Sequence, residues 1–390
     1  MVYGGEGLSR EAGEVIFTPF VLAGEVIEAE RLASRKNVQR ARLTGITEPS
    51  PDRTAAPCPV YQKCGGCHYQ HANYSSQLRF KRDILVETLQ RQGKIDLDPA
   101  AVPIVSGPPY GYRNRAQFHF ENSHIGYRAM NSHTFVPISE CPITAPVISN
   151  IAGKLSRLVR DPRWPRFVTS LEVFTDDVQI QWNVRETERP VAKHFFEWMA
   201  EEFPGTVSGP LEYAVNDDIF HVSGDSFFQV NRFLVGGLAD LAIGDLRGDS
   251  AWDLYAGVGL ISLPLARRFQ NVVAVESGRS AAADLAWNAE RAGVRIEVSP
   301  LSAEAWLAQP AEKTPDLVLA DPPRAGLGKA AVARLLELRP ASLVLIACDP
   351  ATLARDLAVL TGAYEIERLT MVDLFPQTFH IEAIAKLSLR

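Results

Sequence analysis

The sequence predicts an α/β fold: a C-terminal doubly wound, Rossmann-like domain, preceded by an N-terminal OB-like β-barrel and a central α+β domain. Three observations carry this. From about residue 211, short apolar runs alternate with stretches of helical period, the pattern of a mostly parallel sheet covered by helices. The first 50 residues hold closely spaced strand candidates and almost no helical period, as in a small barrel. Between them the pattern is mixed, and 390 residues allow two to three domains with cores of their own. The expected domains are 1–52, 53–210 and 211–390, with the proline-rich PSPDRTAAPCP at the first boundary.

In order, VIFTPFVL, EVIEAERL and VQRARLTGITE read as strands separated by Gly-rich or polar turns, and a strand before them is short or absent. Residues 76–92 predict a helix with Leu78, Leu85 and Leu89 on one face and Gly93 placed to end it. YRNRAQFHFE and HIGYRAM alternate like paired strands, PVISNIAGKLSRLVR has helical period, and VTSLEVFTDDVQIQWNV predicts a hairpin. Beyond 211 the strand candidates are 251–256, 271–276, 294–298, 316–320 and 342–347, with helices near 260–269, 279–292, 329–338 and 351–360. Two last strands, 364–372 and 380–388, lack an intervening helix and predict an antiparallel pair at the sheet edge.

Composition excludes some functions. There is no run of 18 apolar residues, so no membrane span is expected. The N-terminus lacks the basic start and apolar stretch of a secretory signal, which predicts a cytoplasmic protein with free or metal-bound thiols. A net charge of −6 argues against a general polyanion binder. Residues 31–42 nevertheless carry Arg31, Arg35, Lys36, Arg40 and Arg42 with no acid, a local patch able to meet phosphates or to form a solvated strand face.

The segment DLYAGVG places Gly257 and Gly259 between a strand and a helix, and Glu276 ends the next strand. Glycines there let a ligand approach the backbone at a helix N-terminus, and the acid suits ribose hydroxyls. The third glycine of a dinucleotide fingerprint is replaced by Ser262, which weakens the case for NAD, and the D-x-Y-x-G-x-G form resembles that of S-adenosylmethionine methyltransferases, whose donor has no pyrophosphate. Asp321-Pro322-Pro323-Arg324 has arginine where amine-directed base methylases place an aromatic ring. One strand later stands Cys348, outside any metal-ligand spacing. A thiolate adding to carbon 6 of uracil makes carbon 5 nucleophilic, and the turn Cys348-Asp349-Pro350 before a helix is expected to favour the thiolate. Glu382 is the candidate base that removes the carbon 5 proton. A lone cysteine is more often an inert core residue, and a lone edge-strand glutamate a surface charge.

Taken together, DLYAGVG, DPPRAG, ACDPATLARDL, HIE and the upstream FFQVN (Phe227 to Asn231) resemble the RNA 5-methyluridine methyltransferases, class I S-adenosylmethionine-dependent enzymes, over essentially the whole chain. The resemblance implies Cys348 as nucleophile, Glu382 as general base, and donor contacts from Gln229, Tyr255, Glu276 and Asp321, beside the Gly257 and Gly259 turn. It likens the first domain to an RNA-binding TRAM barrel. Leu260 departs from relatives that place asparagine there, so one polar contact to the donor is in doubt.

Cys58, Cys64 and Cys67 fall as C-x5-C-x2-C, with Cys141 remote. Four thiolates fit a structural zinc or a 4Fe–4S cluster; three clustered ligands with one distant favour iron–sulfur, and so does the resemblance. A base worked on at a ring atom must leave its stack, most readily from a structured RNA loop. Arg113, Arg115 and Arg128 join the 31–42 patch as candidate phosphate contacts. The expected partner is RNA, ribosomal favoured over transfer, with no membrane and a monomeric enzyme. A small-molecule or DNA methyltransferase, or a non-catalytic RNA-binding factor, are the competing readings.

Overall fold

The computed structural model describes residues 1–33, 38–311 and 313–390. Arg35 and Lys36 of the basic patch lie outside the described residues. The N-terminal segment forms β1 (Glu6–Glu11), β2 (Glu14–Pro19), β3 (Val26–Arg31) and β4 (Gln39–Glu48). They make one sheet in the order β1-β2-β4-β3. Its outer strands do not pair with each other among the described residues, so the barrel expected for residues 1–52 is a four-stranded sheet, and its first strand is present rather than missing.

Next come α1 (Tyr74–Thr88) and the two-residue strand β5 (Ile104–Val105). Asn73 caps α1, its side chain accepting from the Ser76 N–H at 2.9 Å. Gly93 does end the helical run, closing a π-helical turn (Leu89–Gly93) that continues α1, and it has a second role. A Cβ there would stand 2.9 Å from the Ala354 carbonyl, so glycine permits close helix contact, while the left-handed turn falls on Lys94. Ile84, Leu85, Val86 and Leu89 are buried in the C-terminal core beside Leu353, Leu357 and Leu360. At roughly 1.5–3 kcal/mol for each fully buried large aliphatic chain, this contact binds α1 to the last domain. The segment from α1 to β5 therefore packs with the last domain, although a boundary at 210 would assign it to the middle one.

The central layer contains β6 (Arg115–Glu121), β7 (His124–Arg128), β8 (Phe135–Pro137), α2 (Pro146–Leu158), β9 (Val168–Thr175), β10 (Ile180–Thr187) and α3 (Lys193–Glu202). Its sheet runs β10-β9-β6-β7-β8, antiparallel throughout, with α2 and α3 closing a core around Phe118, Leu171, Trp164 and Trp198. A hairpin, β11 (Leu211–Val215) and β12 (Asp218–Val222), leads into the last domain.

There α4 (Val235–Ile243), β13 (Gly248–Leu254), α5 (Ser262–Ala266), β14 (Phe269–Val275), α6 (Arg279–Arg291), β15 (Glu297–Ser299), α7 (Ala303–Leu307), β16 (Leu317–Ala320), α8 (Lys329–Leu338), β17 (Ser342–Ala347), α9 (Pro350–Leu360), β18 (Tyr364–Val372) and β19 (Glu382–Leu389) follow the predicted alternation. The sheet order is β15-β14-β13-β16-β17-β19-β18-β5. The first five strands are parallel, and β19 inserts antiparallel between β17 and β18. The antiparallel pair is not the edge: β5 pairs parallel to β18 and covers it. Among the described residues, no helix is long and apolar enough to cross a membrane.

Candidate active site

The strand order brings three sequence-distant residues to one edge. Asp321 follows β16, Cys348 follows β17, and Glu382 opens β19, whose reversed direction sets Ala383 opposite Ala347. Glu382 is buried, while Cys348 is half-buried. Burial first, then the charges of Glu382 and Asp321, push the Cys348 thiol up to about 11, against a smaller opposing pull from Arg324. The helix behind it does not help. The Asp349 carboxylate already accepts from the Ala351 and Thr352 N–H groups at 2.9 and 3.0 Å, so the first amides of α9 are occupied. The turn thus offers Cys348 no free amide, and its surroundings favour the thiol over the thiolate that the sequence led one to expect. Burial and the neighbouring Asp321 charge raise Glu382 well above the usual carboxylate range, and burial raises Asp321 as well. The charge of one carboxyl disfavours a second charge on the other.

Around this centre lie groups that sequence reasoning did not single out. The Tyr3 hydroxyl reaches the Cys348 carbonyl at 3.5 Å and its ring meets Phe379 edge-on. Arg324 contacts the His380 ring at 3.3 Å, and burial and Arg324 lower that imidazole to about 3, leaving it neutral. Phe379 and His380 adjoin the HIE motif and Arg324 ends the DPPR motif, whereas nothing in the sequence near Tyr3 marked it.

Next to β16 in the sheet, the donor cradle is built from β13 and β14. Gly257 has φ +56° with open space where a Cβ would lie. Gly259 has φ +94°, and a Cβ there would meet Leu263 Cδ1 at 2.9 Å, so its role includes packing of α5. Glu276 accepts from the Gly257 N–H at 2.9 Å and the Gly278 N–H at 2.5 Å, which fixes the carboxylate at the lip of the turn. Ser262, in place of the third glycine, is buried and donates to Asp253 at 2.5 Å. Burial brings the Asp253 carboxyl to about 7, with Asp321 and Glu276 adding to the effect. Tyr255 sits at φ +63°, a conformation costly for a bulky residue, with its hydroxyl on Glu304 at 3.2 Å. Gln229 lies on the segment after β12, its carbonyl held by the Asn114 amide at 3.1 Å, beside the exposed ring of Phe227. The open glycine turn and the carboxylate fixed at its lip suit an adenosyl group carrying hydroxyls.

A separate cavity of about 300 Å³ is lined by all four remaining cysteines, Cys58, Cys64, Cys67 and Cys141, with Gln70, Arg113 and Arg128. None is in a disulfide. Among the described residues, no three Cys, His, Asp or Glu converge closely enough to hold one metal ion. Burial and the neighbouring sulfurs push Cys64 up to about 11 and Cys67 to about 12. The buried Gln70 amide spends its oxygen on the Cys58 N–H at 3.2 Å, while its nitrogen has no partner, an orphaned donor at a thiol-lined cavity.

Not every predicted phosphate contact is placed for one. Arg115 is buried, donates to the Ser226 carbonyl at 3.0 Å and lies over the Phe174 ring at 4.2 Å, so it is a structural cation. Arg31 pairs with Glu11 and Glu14, Arg40 with Glu6, and Arg42 with Glu30. Arg40, Arg42, Arg128 and Arg324 nonetheless line one open cavity of about 820 Å³ with Phe20, Phe379 and His380.

A doubly wound sheet with a glycine-turn cradle and a thiol flanked by carboxyls defines an S-adenosylmethionine-dependent methyltransferase. Comparison with known proteins narrows the class. The model of the tRNA (Uracil-5-)-methyltransferase family matches residues 207–389. An RNA methyltransferase of Aquifex aeolicus is 34% identical, the alignment covering 100% of this chain and 97% of the relative. The 23S rRNA (uracil(1939)-C(5))-methyltransferase RlmD of Halomonas elongata is 31% identical over 99% of this chain and 88% of that protein. The crystal structure of the Pyrococcus abyssi tRNA (uracil-54, C5)-methyltransferase in complex with S-adenosyl-L-homocysteine superposes with a TM-score of 0.78 at 26% identity, covering 98% of this chain and 100% of that one. The chain belongs to the RNA (uracil-5-)-methyltransferase family and is an S-adenosylmethionine-dependent enzyme acting on RNA.

Proposed function

We propose that the protein methylates carbon 5 of a specific uridine in 23S ribosomal RNA through a covalent Cys348 adduct. The observation that carries the mechanism is the meeting of Cys348, Asp321 and Glu382 at the ends of β17, β16 and β19. When bound at the Gly257 turn, against Gln229, Tyr255 and Glu276, the donor supplies a methyl group on a sulfonium. Cys348 Sγ adds to carbon 6 of the uracil, and the thiol proton passes to the carboxylate pair and on to water. Carbon 5, now enolate-like, takes the methyl group. Glu382 removes the carbon 5 proton as the carbon 6–sulfur bond breaks, then returns it to the departing thiolate. One proton is released per cycle. Asp321 holds the uracil edge and sets the proton affinity of Glu382.

The ribosomal preference rests on the Halomonas relative, which covers nearly the whole chain. The Pyrococcus structure favours transfer RNA as the second reading. Cys58, Cys64, Cys67 and Cys141 would hold a 4Fe–4S cluster: separate thiols around a cavity, with one unused amide donor, suit a multi-iron group better than a single ion. We assign residues 1–52 to RNA binding, the cysteine-bearing middle segment to cluster support, and 211–390 with α1 to catalysis, in a monomeric cytoplasmic enzyme.

The test is a trap. RNA carrying 5-fluorouridine lacks the removable proton, so with donor it should remain covalently bound to the wild type and not to Cys348→Ala. Methylation retained by Cys348→Ala at normal donor affinity would reject the mechanism. Mapping 5-methyluridine in both RNA classes from a deletion strain would decide the substrate.

A further inference from the structure

The loop between β18 and β19, residues 373–381, is held by side chains and backbone from distant parts of the chain, and the holding is unusually complete. Four consecutive carbonyls each have a donor. Leu374 O accepts from the Asn231 amide at 3.0 Å, and Phe375 O from Lys81 Nζ at 2.9 Å. Pro376 O accepts from the Tyr112 hydroxyl at 3.1 Å, and Gln377 O from the His68 and Tyr69 N–H groups at 2.8 and 2.9 Å. Helix α1 supplies most of the remaining grip. Lys81 Nζ is 2.6 Å from Asp373 Oδ1, Tyr74 donates to Asp373 Oδ2 at 2.8 Å, and Gln77 exchanges two hydrogen bonds with Gln377.

Lys81 and Asp373 are both buried, at 1% exposure each. A buried ion pair is seldom kept for stability, since apolar residues of similar volume do as well or better. Here the pair sits at the root of the loop that carries Phe379 and His380 and ends at Glu382.

We propose that Lys81 is a positioning residue: through Asp373 and the Phe375 carbonyl it holds the 373–381 loop so that His380 faces Arg324 and the Glu382 carboxyl faces the Cys348 turn. It touches neither donor nor uracil. The inference rests on Glu382 serving as the base, and its experiment separates the two.

Lys81→Met, the double variant Lys81→Met/Asp373→Leu, Tyr74→Phe and Glu382→Gln are compared, with rates normalised to donor-binding sites. Lys81→Met should lose about 100-fold in kcat, the size expected when a reacting group is misplaced by about an ångström. KM for the donor should stay unchanged, and an adduct with ordinary uridine RNA should accumulate. The double variant should regain thermal stability but not kcat, and Tyr74→Phe should show the same signature at a few-fold loss. If the double variant recovers both Tm and kcat, or if folded Lys81→Met and Tyr74→Phe turn over normally, Lys81 is structural only and the proposal is overturned. If Glu382→Gln accumulates no adduct, it is the base assignment that fails, while the kcat and Tm of the double variant still judge Lys81.

Discussion

Asp321 and Glu382 stand on the two strands that flank the strand ending at Cys348, and the charge of Asp321 raises the proton affinity of Glu382. Under the proposed mechanism Glu382 is the proton acceptor, and Asp321 sets how readily it gives up its own proton.

Glu382→Gln should therefore slow turnover by about 10²–10⁴-fold, the usual worth of a general base, while leaving adduct formation with RNA intact. In the wild type, the rate should rise with pH through the raised pKa of Glu382, since the base acts ionised. Asp321→Asn removes the charge that raises it, so the acid limb should move to lower pH even as the rate falls. An acid limb unmoved by Asp321→Asn would separate the two carboxyls.

The Cys348 thiol is pushed up to about 11 by burial and by those carboxyls. Without RNA it should react slowly with iodoacetamide. At neutral pH its thiolate fraction is ~100-fold below that of an ordinary thiol, and the greater nucleophilicity of a more basic sulfur returns about tenfold, leaving a net tenfold deficit. The rate should climb with pH until about 11. Alkylation as fast as free cysteine at pH 7 would mean that the sulfur rests as thiolate after all.

Gly257 and Gly259 share a turn but not a reason. Alanine at Gly257, with φ +56° and open space, should cost about 1 kcal/mol of backbone strain and mainly weaken donor binding. At Gly259, alanine also meets Leu263 and Leu285 at 2.9 and 3.2 Å, so a loss of about 1–3 kcal/mol from overpacking is expected. Calorimetric Tm and donor titration of the two variants should separate these effects.

The parallel sheet was legible because β16 and β17 are short apolar runs ending at proline turns, and the apolar stretches of β13 and β14 alternate with segments of helical period. Cys348 and Glu382 were legible as candidate catalytic residues, and Asp321 as a candidate donor contact, because each stands at the end or start of a strand. β5 was not: two residues carry no periodicity, and only the unpaired edge of β18 makes Ile104 and Val105 a strand. The membership of α1 in the last core depends on a contact with α9 more than 250 residues away, which periodicity cannot express. Arginine chemistry also misled. Arg113, Arg115 and Arg128 read alike in sequence, yet the pleat turns Arg115 inward onto Phe174 while Arg128 lines the open cavity.

That difference predicts distinct RNA behaviour. The exposed pairs of Arg40 and Arg42 with glutamates are worth only about 0.2–1 kcal/mol, so a phosphate can displace the acid. Arg42→Ala should weaken RNA binding and reduce the salt slope of log Kd by about 0.7–0.9 per lost contact, without lowering Tm. Arg115→Ala should do the reverse, lowering Tm while leaving the slope unchanged.

The cysteine cavity makes the last prediction. Burial pushes the Cys58, Cys64 and Cys67 thiols toward protonation, and a cluster of iron cations would reverse that by binding the thiolates. Protein purified without oxygen should be brown and contain about four iron atoms per chain, as a cluster held by four cysteines requires. Cys67→Ser should lose that iron. Gln70→Leu should retain it but bleach faster in air, because the buried amide nitrogen that has no protein partner would no longer be available to a cluster sulfur. Stoichiometric zinc in place of iron, with a colourless protein, would refute the assignment and leave the orphaned amide without a purpose.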